Sequence, residues 1–142
     1  MRIILGADHG GFLDKEKVKE YLVKKGFEII DVGAMVENAE DDYVDFAKEA
    51  VEKYSEGDKI ILFCRNGFGM CITANRYKGI RCGIGFDKEA VARGRRDDDI
   101  NCLSIPSDYV SVEELVDAVE TFIGTDFSLD PKYLRRINKI DS

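Results

Sequence analysis

The cysteine Cys64 stands directly after the apolar run Lys59–Phe63 and directly before Arg65-Asn66-Gly67-Phe68-Gly69. A thiol at the tip of a buried strand, against a glycine-bearing turn, is chemically suggestive. Gly67 and Gly69 permit close backbone approach, and a helix starting near Phe68 would aim backbone N–H groups at an anion or a developing oxyanion. Such a helix start, with Arg65 adjacent, also favours the thiolate, which can act as nucleophile or general base. The competing role is a buried thiol that merely caps the strand. A second constellation is Asp8-His9 within Gly6-Ala-Asp-His-Gly-Gly-Phe12, which holds the only histidine of the protein. Asp8 can orient the imidazole or bind a sugar hydroxyl itself. A third is Arg93-Gly-Arg-Arg-Asp-Asp-Asp99, which reads either as a solvated helix end or as arginines serving an anion site. Lys132, Arg135 and Arg136 form the last cluster, a solvated helix face or a phosphate clamp.

The elements that position these residues follow from apolar patterning. Short Ile- and Val-rich runs at Arg2–Ala7, Glu28–Val32, Lys59–Cys64, Ile80–Gly85 and Asn101–Ile105 predict strands covered on both faces. Helix-period segments separate them. Leu13–Lys25 places Val18, Tyr21 and Leu22 on one face, with Gly26 to end it. Asp42–Tyr54 carries an apolar stripe, and Ser111-Val-Glu-Glu114 is a capping box ahead of Leu115, Ala118, Val119 and Phe122. Pro131 opens a further C-terminal helix. Strands alternating with helices predict an α/β, doubly wound, Rossmann-like three-layer sandwich: one domain over 1–142 around a five-stranded parallel sheet. Ligands in such folds bind outside the carboxyl ends of the strands, where Asp8-His9 and Cys64–Gly69 fall.

The totals narrow the class. The protein has 142 residues and a formal charge of −7, which argues against nucleic acid or an anionic membrane as the main partner. No apolar stretch approaches the ~20 residues of a membrane span, and no leader is visible. Cys64, Cys71, Cys82 and Cys102 form no CxxC pair, so a zinc or thioredoxin motif is not expected. Cys71, Cys82 and Cys102 read as reduced core thiols, which suits a cytoplasmic location. GxGxxG and P-loop patterns are absent, so neither a dinucleotide nor a P-loop nucleotide is expected.

Taken together, Gly6–Phe12, Asp31-Val-Gly33, Asp42-Tyr43, the block Cys64–Asn75 with Ile72-Thr-Ala-Asn75, Gly79-Ile-Arg81 and the closing Arg-Arg-Ile resemble the ribose-5-phosphate isomerase B and galactose-6-phosphate isomerase family over essentially the whole length. The resemblance implies an aldose–ketose isomerase that works through a cis-enediolate without metal or nucleotide, on ribose 5-phosphate or a related sugar. It implies Cys64 as the base, backbone N–H groups of the glycine turn as enediolate donors, and Asp8, His9 and Tyr43 among the substrate contacts. It further implies a homodimer, or a dimer of dimers, with each site shared between subunits.

The departures from that pattern are specific. The family turn is typically Cys-Gly-Thr-Gly, whereas here Arg65 stands for a glycine and Asn66 for a threonine. Where the family usually reads His-Asn-Asp-x-Asn, this protein has Asp97-Asp98-Asp99-Ile100-Asn101. Asp97 thus holds the position of the ring-opening histidine, a task a protonated carboxyl can perform, and Asp98 that of a sugar-contacting asparagine. Asp108 takes the position of a phosphate-contacting arginine, while Lys132 and Arg136 match the two basic positions of the tail. The expected site is therefore Cys64 and Asp97 as catalytic groups, with Asp8, His9, Tyr43, Arg65, Asn66, Gly67, Phe68, Gly69, Asp98, Asp108, Lys132 and Arg136 binding a sugar or sugar phosphate. A non-catalytic carbohydrate-binding or regulatory homologue is the alternative that loss of the histidine raises.

Overall fold

The computed structural model describes residues 1–142. Its strands are β1 (Arg2–Ala7), β2 (Glu28–Asp31), β3 (Lys59–Cys64), β4 (Cys82–Ile84) and β5 (Cys102–Pro106). Its helices are α1 (Phe12–Lys24), α2 (Tyr43–Lys53), α3 (Phe68–Ala74), α4 (Lys88–Asp98), α5 (Val112–Gly124) and α6 (Pro131–Asn138), with a short 3-10 turn at Ser107–Tyr109. All strand pairs are parallel, in the order β2-β1-β3-β5-β4. The doubly wound architecture expected from the patterning is present. No helix is long and apolar enough to cross a membrane.

The period-2 alternation of side groups divides the core into two layers. Ile3, Leu5, Ala7, Ile61 and Phe63 face α1, α4 and α5, meeting Val18, Leu22, Val91, Leu115, Val119 and Phe122. Ile4, Ile60, Leu62 and Cys64 face α2 and α3, meeting Ala47, Ala50, Met70 and Ala74. Cys64 therefore shares the face of Ile60 and Leu62, and its thiol is directed at α3 rather than α1.

The three central strands are buried as predicted, but the outer two are not. β2 ends at Asp31, and all four of its residues are partly or fully exposed. β4 is only three half-exposed residues long, not the predicted Ile80–Gly85. Its start is delayed because Ile80 closes a turn onto Tyr77, and Arg81 N–H bonds the side-group oxygen of Asn101. Edge strands are commonly short, which keeps their unpaired groups from templating further pairing. β5 is shifted by one residue, Pro106 extending it at a position facing Cys64. Cys102 is buried as expected, whereas Cys71 and Cys82 are only partly so, and all four thiols are free. Gly26 follows α1 in the left-handed conformation (φ 87°), and the Ser111–Glu114 capping box forms.

Candidate active site

The polypeptide winds from β1 to β2 in one direction and from there to β3 in the other. The carboxyl ends of β1 and β3 thus flank the switch point where crevices form. There a cavity of about 270 Å³ is lined by Asp8, His9, Tyr43, Cys64, Arg65, Asn66 and Gly69. Every one of these is a residue the sequence singled out.

Each of them is held by a local device. After β1 the backbone turns tightly into α1 against β3: a Cβ on Gly11 would lie 2.4 Å from the carbonyl carbon and oxygen of Phe63. Asp8 is 7% exposed, and its Oδ1 accepts the Gly11 N–H at 3.1 Å. Burial raises its pKa, the Gly11 bond acting in the opposite sense. The sequence offered Asp8 as the residue that orients His9, but in the structure that task falls to Asp41. His9 Nδ1 lies 2.7 Å from Asp41 Oδ1, which also accepts the His9 backbone N–H at 3.1 Å. This bond raises the imidazole's pKa and leaves Nε2 as the free ring nitrogen. Asp41 was missed because it lies in the irregular polar stretch before α2, with no periodicity to place it. Its only signal was adjacency to Asp42-Tyr43. Asp8, His9 and Asp41 offer one ligand atom each within 4.8 Å, the arrangement that could hold a metal, yet His9 Nδ1 is committed to Asp41.

The turn after β3 completes the site. Gly67 is left-handed (φ 79°), and its carbonyl accepts the Ser104 hydroxyl at 2.6 Å and the Cys71 N–H at 3.2 Å. Asn66 Oδ1 accepts the Phe68 N–H at 2.9 Å, while the N–H groups of Asn66, Gly67 and Met70 face the Cys64 sulfur. Gly69 makes room for an aromatic ring, since a Cβ there would lie 2.4 Å from Tyr43 Cε1.

Cys64 departs from expectation. Burial pushes its thiol above the ordinary range, and Asp8 adds to the rise. The N–H groups of Met70, Gly67 and Asn66 favour the thiolate as predicted but do not prevail. Arg65 does not join them. Its guanidinium turns outward to Asp108, with Nη1 at 3.4 and 3.5 Å from the two carboxylate oxygens.

The remaining predicted residues lie elsewhere in the molecule. Phe68 is exposed and lines an adjoining apolar groove with Ile84, Phe86, Pro106 and Tyr109. Asp97 pairs with Arg93 at 3.0 Å and Asp98 is exposed, both at the C-terminal end of α4. That end lies at the amino edge of the sheet, where the following Asp99 borders Lys59 and Asn101. Lys132 and Arg136 are exposed on α6, which packs on α4, and both lie over the Tyr133 ring. A single subunit therefore brings together the Cys64 half of the predicted site and leaves Asp97, Asp98, Lys132 and Arg136 outside it.

A parallel α/β sheet with a buried thiol, an oriented imidazole and a glycine turn at its switch point defines an enzyme-like crevice for a small polar ligand. Residues 3–140 match the family described as Ribose/Galactose Isomerase, and the protein belongs to that family. It is 34% identical over 141 residues to a probable ribose-5-phosphate isomerase B of Mycoplasma genitalium, covering 97% of this protein and 92% of that one. A crystal structure of ribose-5-phosphate isomerase B from the same organism, with bound ribulose-5-phosphate, superposes with a TM-score of 0.94 at 33% identity, covering 98% of this protein and 93% of the other. A 4-deoxy-4-sulfo-D-erythrose isomerase from a Clostridium species is 31% identical over 130 residues, covering 90% of this protein and 82% of the relative.

Proposed function

We propose that this protein is an aldose–ketose isomerase acting on a phosphorylated sugar of the ribose 5-phosphate/ribulose 5-phosphate type. The observation that carries this reading is the placement of Cys64. Its sulfur is buried at the carboxyl end of β3, within one cavity with Asp8 and His9, and faced by N–H groups of Gly67 and Met70. As thiolate, Cys64 removes the proton from the carbon next to the carbonyl, becoming a thiol. The electron pair moves onto the carbonyl oxygen, and backbone N–H groups of the Asn66–Met70 turn receive the developing enediolate charge. The same thiol returns the proton to the neighbouring carbon, while a proton passes between the two oxygens. His9, oriented by Asp41, and Asp8 hold the hydroxyls.

The site is completed by a second copy of the protein. Asp97, Asp98, Lys132 and Arg136 share the α4–α6 side of the molecule, away from Cys64, and a partner in a homodimer supplies them. Asp97 then transfers the proton that opens the sugar ring, and Lys132 and Arg136 meet the phosphate. The protein's four free thiols suit a reducing compartment such as the cytoplasm.

Proton NMR in deuterated water tests the chemistry. Ribose 5-phosphate should gain deuterium at the carbon next to the carbonyl, and Cys64→Ala should abolish the exchange; exchange that survives Cys64→Ala removes the base assignment. Complementation tests the sharing. Cys64→Ala and Asp97→Asn should each be inactive, yet after co-refolding about a quarter of native activity should return, because half the dimers are mixed and each carries one intact site of two. Recovery of no activity would refute a shared site.

A further inference from the structure

We infer that Arg65 is a further residue that recognises the acidic group of the substrate, beside the Lys132 and Arg136 of the second copy, and that Asp108 is the counter-charge it releases on binding. The inference rests on the isomerase reading and names a further specificity determinant within that site.

Arg65 is the only permanent cation among the residues lining the Cys64 cavity. The other charged groups there are Asp8 and His9, the latter already committed through Nδ1 to Asp41. On this subunit's side of the site, a sugar carrying a phosphate would otherwise meet a lining whose fixed charge is negative. Arg65 is built to answer this at its base and left free at its tip. Its carbonyl accepts the Asp108 N–H at 2.9 Å, so the two residues are locked together through the backbone. Its stem lies on Gly10, where a Cβ would come within 2.4 Å of Arg65 Cγ. The guanidinium, by contrast, touches Asp108 only at 3.4 and 3.5 Å, with the two side groups 63% and 44% exposed. An ion pair that long and that wet is readily exchanged. A phosphate offers the guanidinium two short charge-assisted bonds in its place. The Arg65–Asp108 pair is thus a tether from which the guanidinium swings to the substrate, and Asp108 competes with the substrate for it.

The test compares ribose 5-phosphate with free ribose in the full-length wild type, Arg65→Gln and Asp108→Asn, reading the ratio of kcat/KM for the two sugars. Both residues are exposed, so the fold tolerates either change. Arg65→Gln should lower the phosphate preference by about tenfold or more. Asp108→Asn should raise it by about two- to fivefold, because the competitor is gone. A preference in Arg65→Gln within about twofold of wild type would overturn the assignment, as would a fall in Asp108→Asn equal to that in Arg65→Gln. Should the wild type isomerise neither sugar, the isomerase reading fails, and calorimetric titration with inorganic phosphate decides the arginine separately. Weaker binding to Arg65→Gln than to wild type supports it, and equal binding overturns it.

Discussion

The base itself supplies the sharpest prediction. Cys64 is 5% exposed, and burial raises its pKa more than the turn N–H groups lower it. An ordinary cysteine, with a pKa near 8.5, is only about 3% thiolate at pH 7. The upward shift of Cys64 makes that fraction smaller still. Because kcat/KM reports the free enzyme, its value on the open-chain ketose phosphate, where ring opening by Asp97 is not needed, should keep rising with pH through and beyond neutrality without levelling there. The sign is fixed by chemistry: the thiolate is the base, so raising pH raises the active fraction. Cys64→Ala should reduce kcat/KM by about 10²- to 10⁴-fold and remove the alkaline rise. Ultraviolet thiolate absorbance in the absence of substrate measures the same ionisation directly. There Asp8→Asn should move the titration to lower pH, since the Asp8 carboxylate disfavours the thiolate. A rate profile that levels below pH 7.5, or a thiolate signal already complete at neutrality, would refute the reasoning.

Three further outcomes rest on the packing around the site. Asp41→Asn should lower the His9 titration midpoint in NMR, because Asp41 is the main cause of its elevation. The stability that the wild type draws from this pair should be full below the ordinary histidine value of about 6.5 and fade as pH rises through the raised value. Lys15→Met should cost about 3–5 kcal/mol in urea unfolding. Lys15 is fully buried, and its Nζ is 2.9 Å from both oxygens of Asp31, whose carboxylate also accepts from Lys19 and the Gly33 N–H. Gly11→Ala should destabilise by about 3 kcal/mol or more and lower soluble yield, because the added methyl meets the Phe63 backbone rather than a movable side group.

Legibility in the sequence followed the strength of local signals. The limits of β1 and β3 were readable to the residue because continuous apolar runs end at glycine-bearing turns. β4 was overextended because Ile80 adds an apolar residue ahead of Cys82–Ile84, while a bond to the Asn101 side group and the turn at Tyr77 decide where pairing begins. The cavity residues from Asp8 to Gly69 were readable because they sit in short motifs at strand ends or beside a helix start. Asp41 was not, since its role depends on a loop of no periodicity folding back over His9.

Residue types and their order therefore determined the parallel sheet, the two motifs at the strand ends and the family. Hydrophobic periodicity and turn chemistry are local properties, and they survive without knowledge of what lies opposite. Tertiary structure decided what those motifs do to one another. It buried Cys64 enough to raise its pKa against the pull of the α3 N–H groups, and it gave His9 to Asp41 rather than Asp8. It also turned Arg65 outward to Asp108, and it carried Asp97 to the far edge of the sheet. Charge, desolvation and distance are properties of neighbours in space, and those neighbours are chosen only when the polypeptide folds.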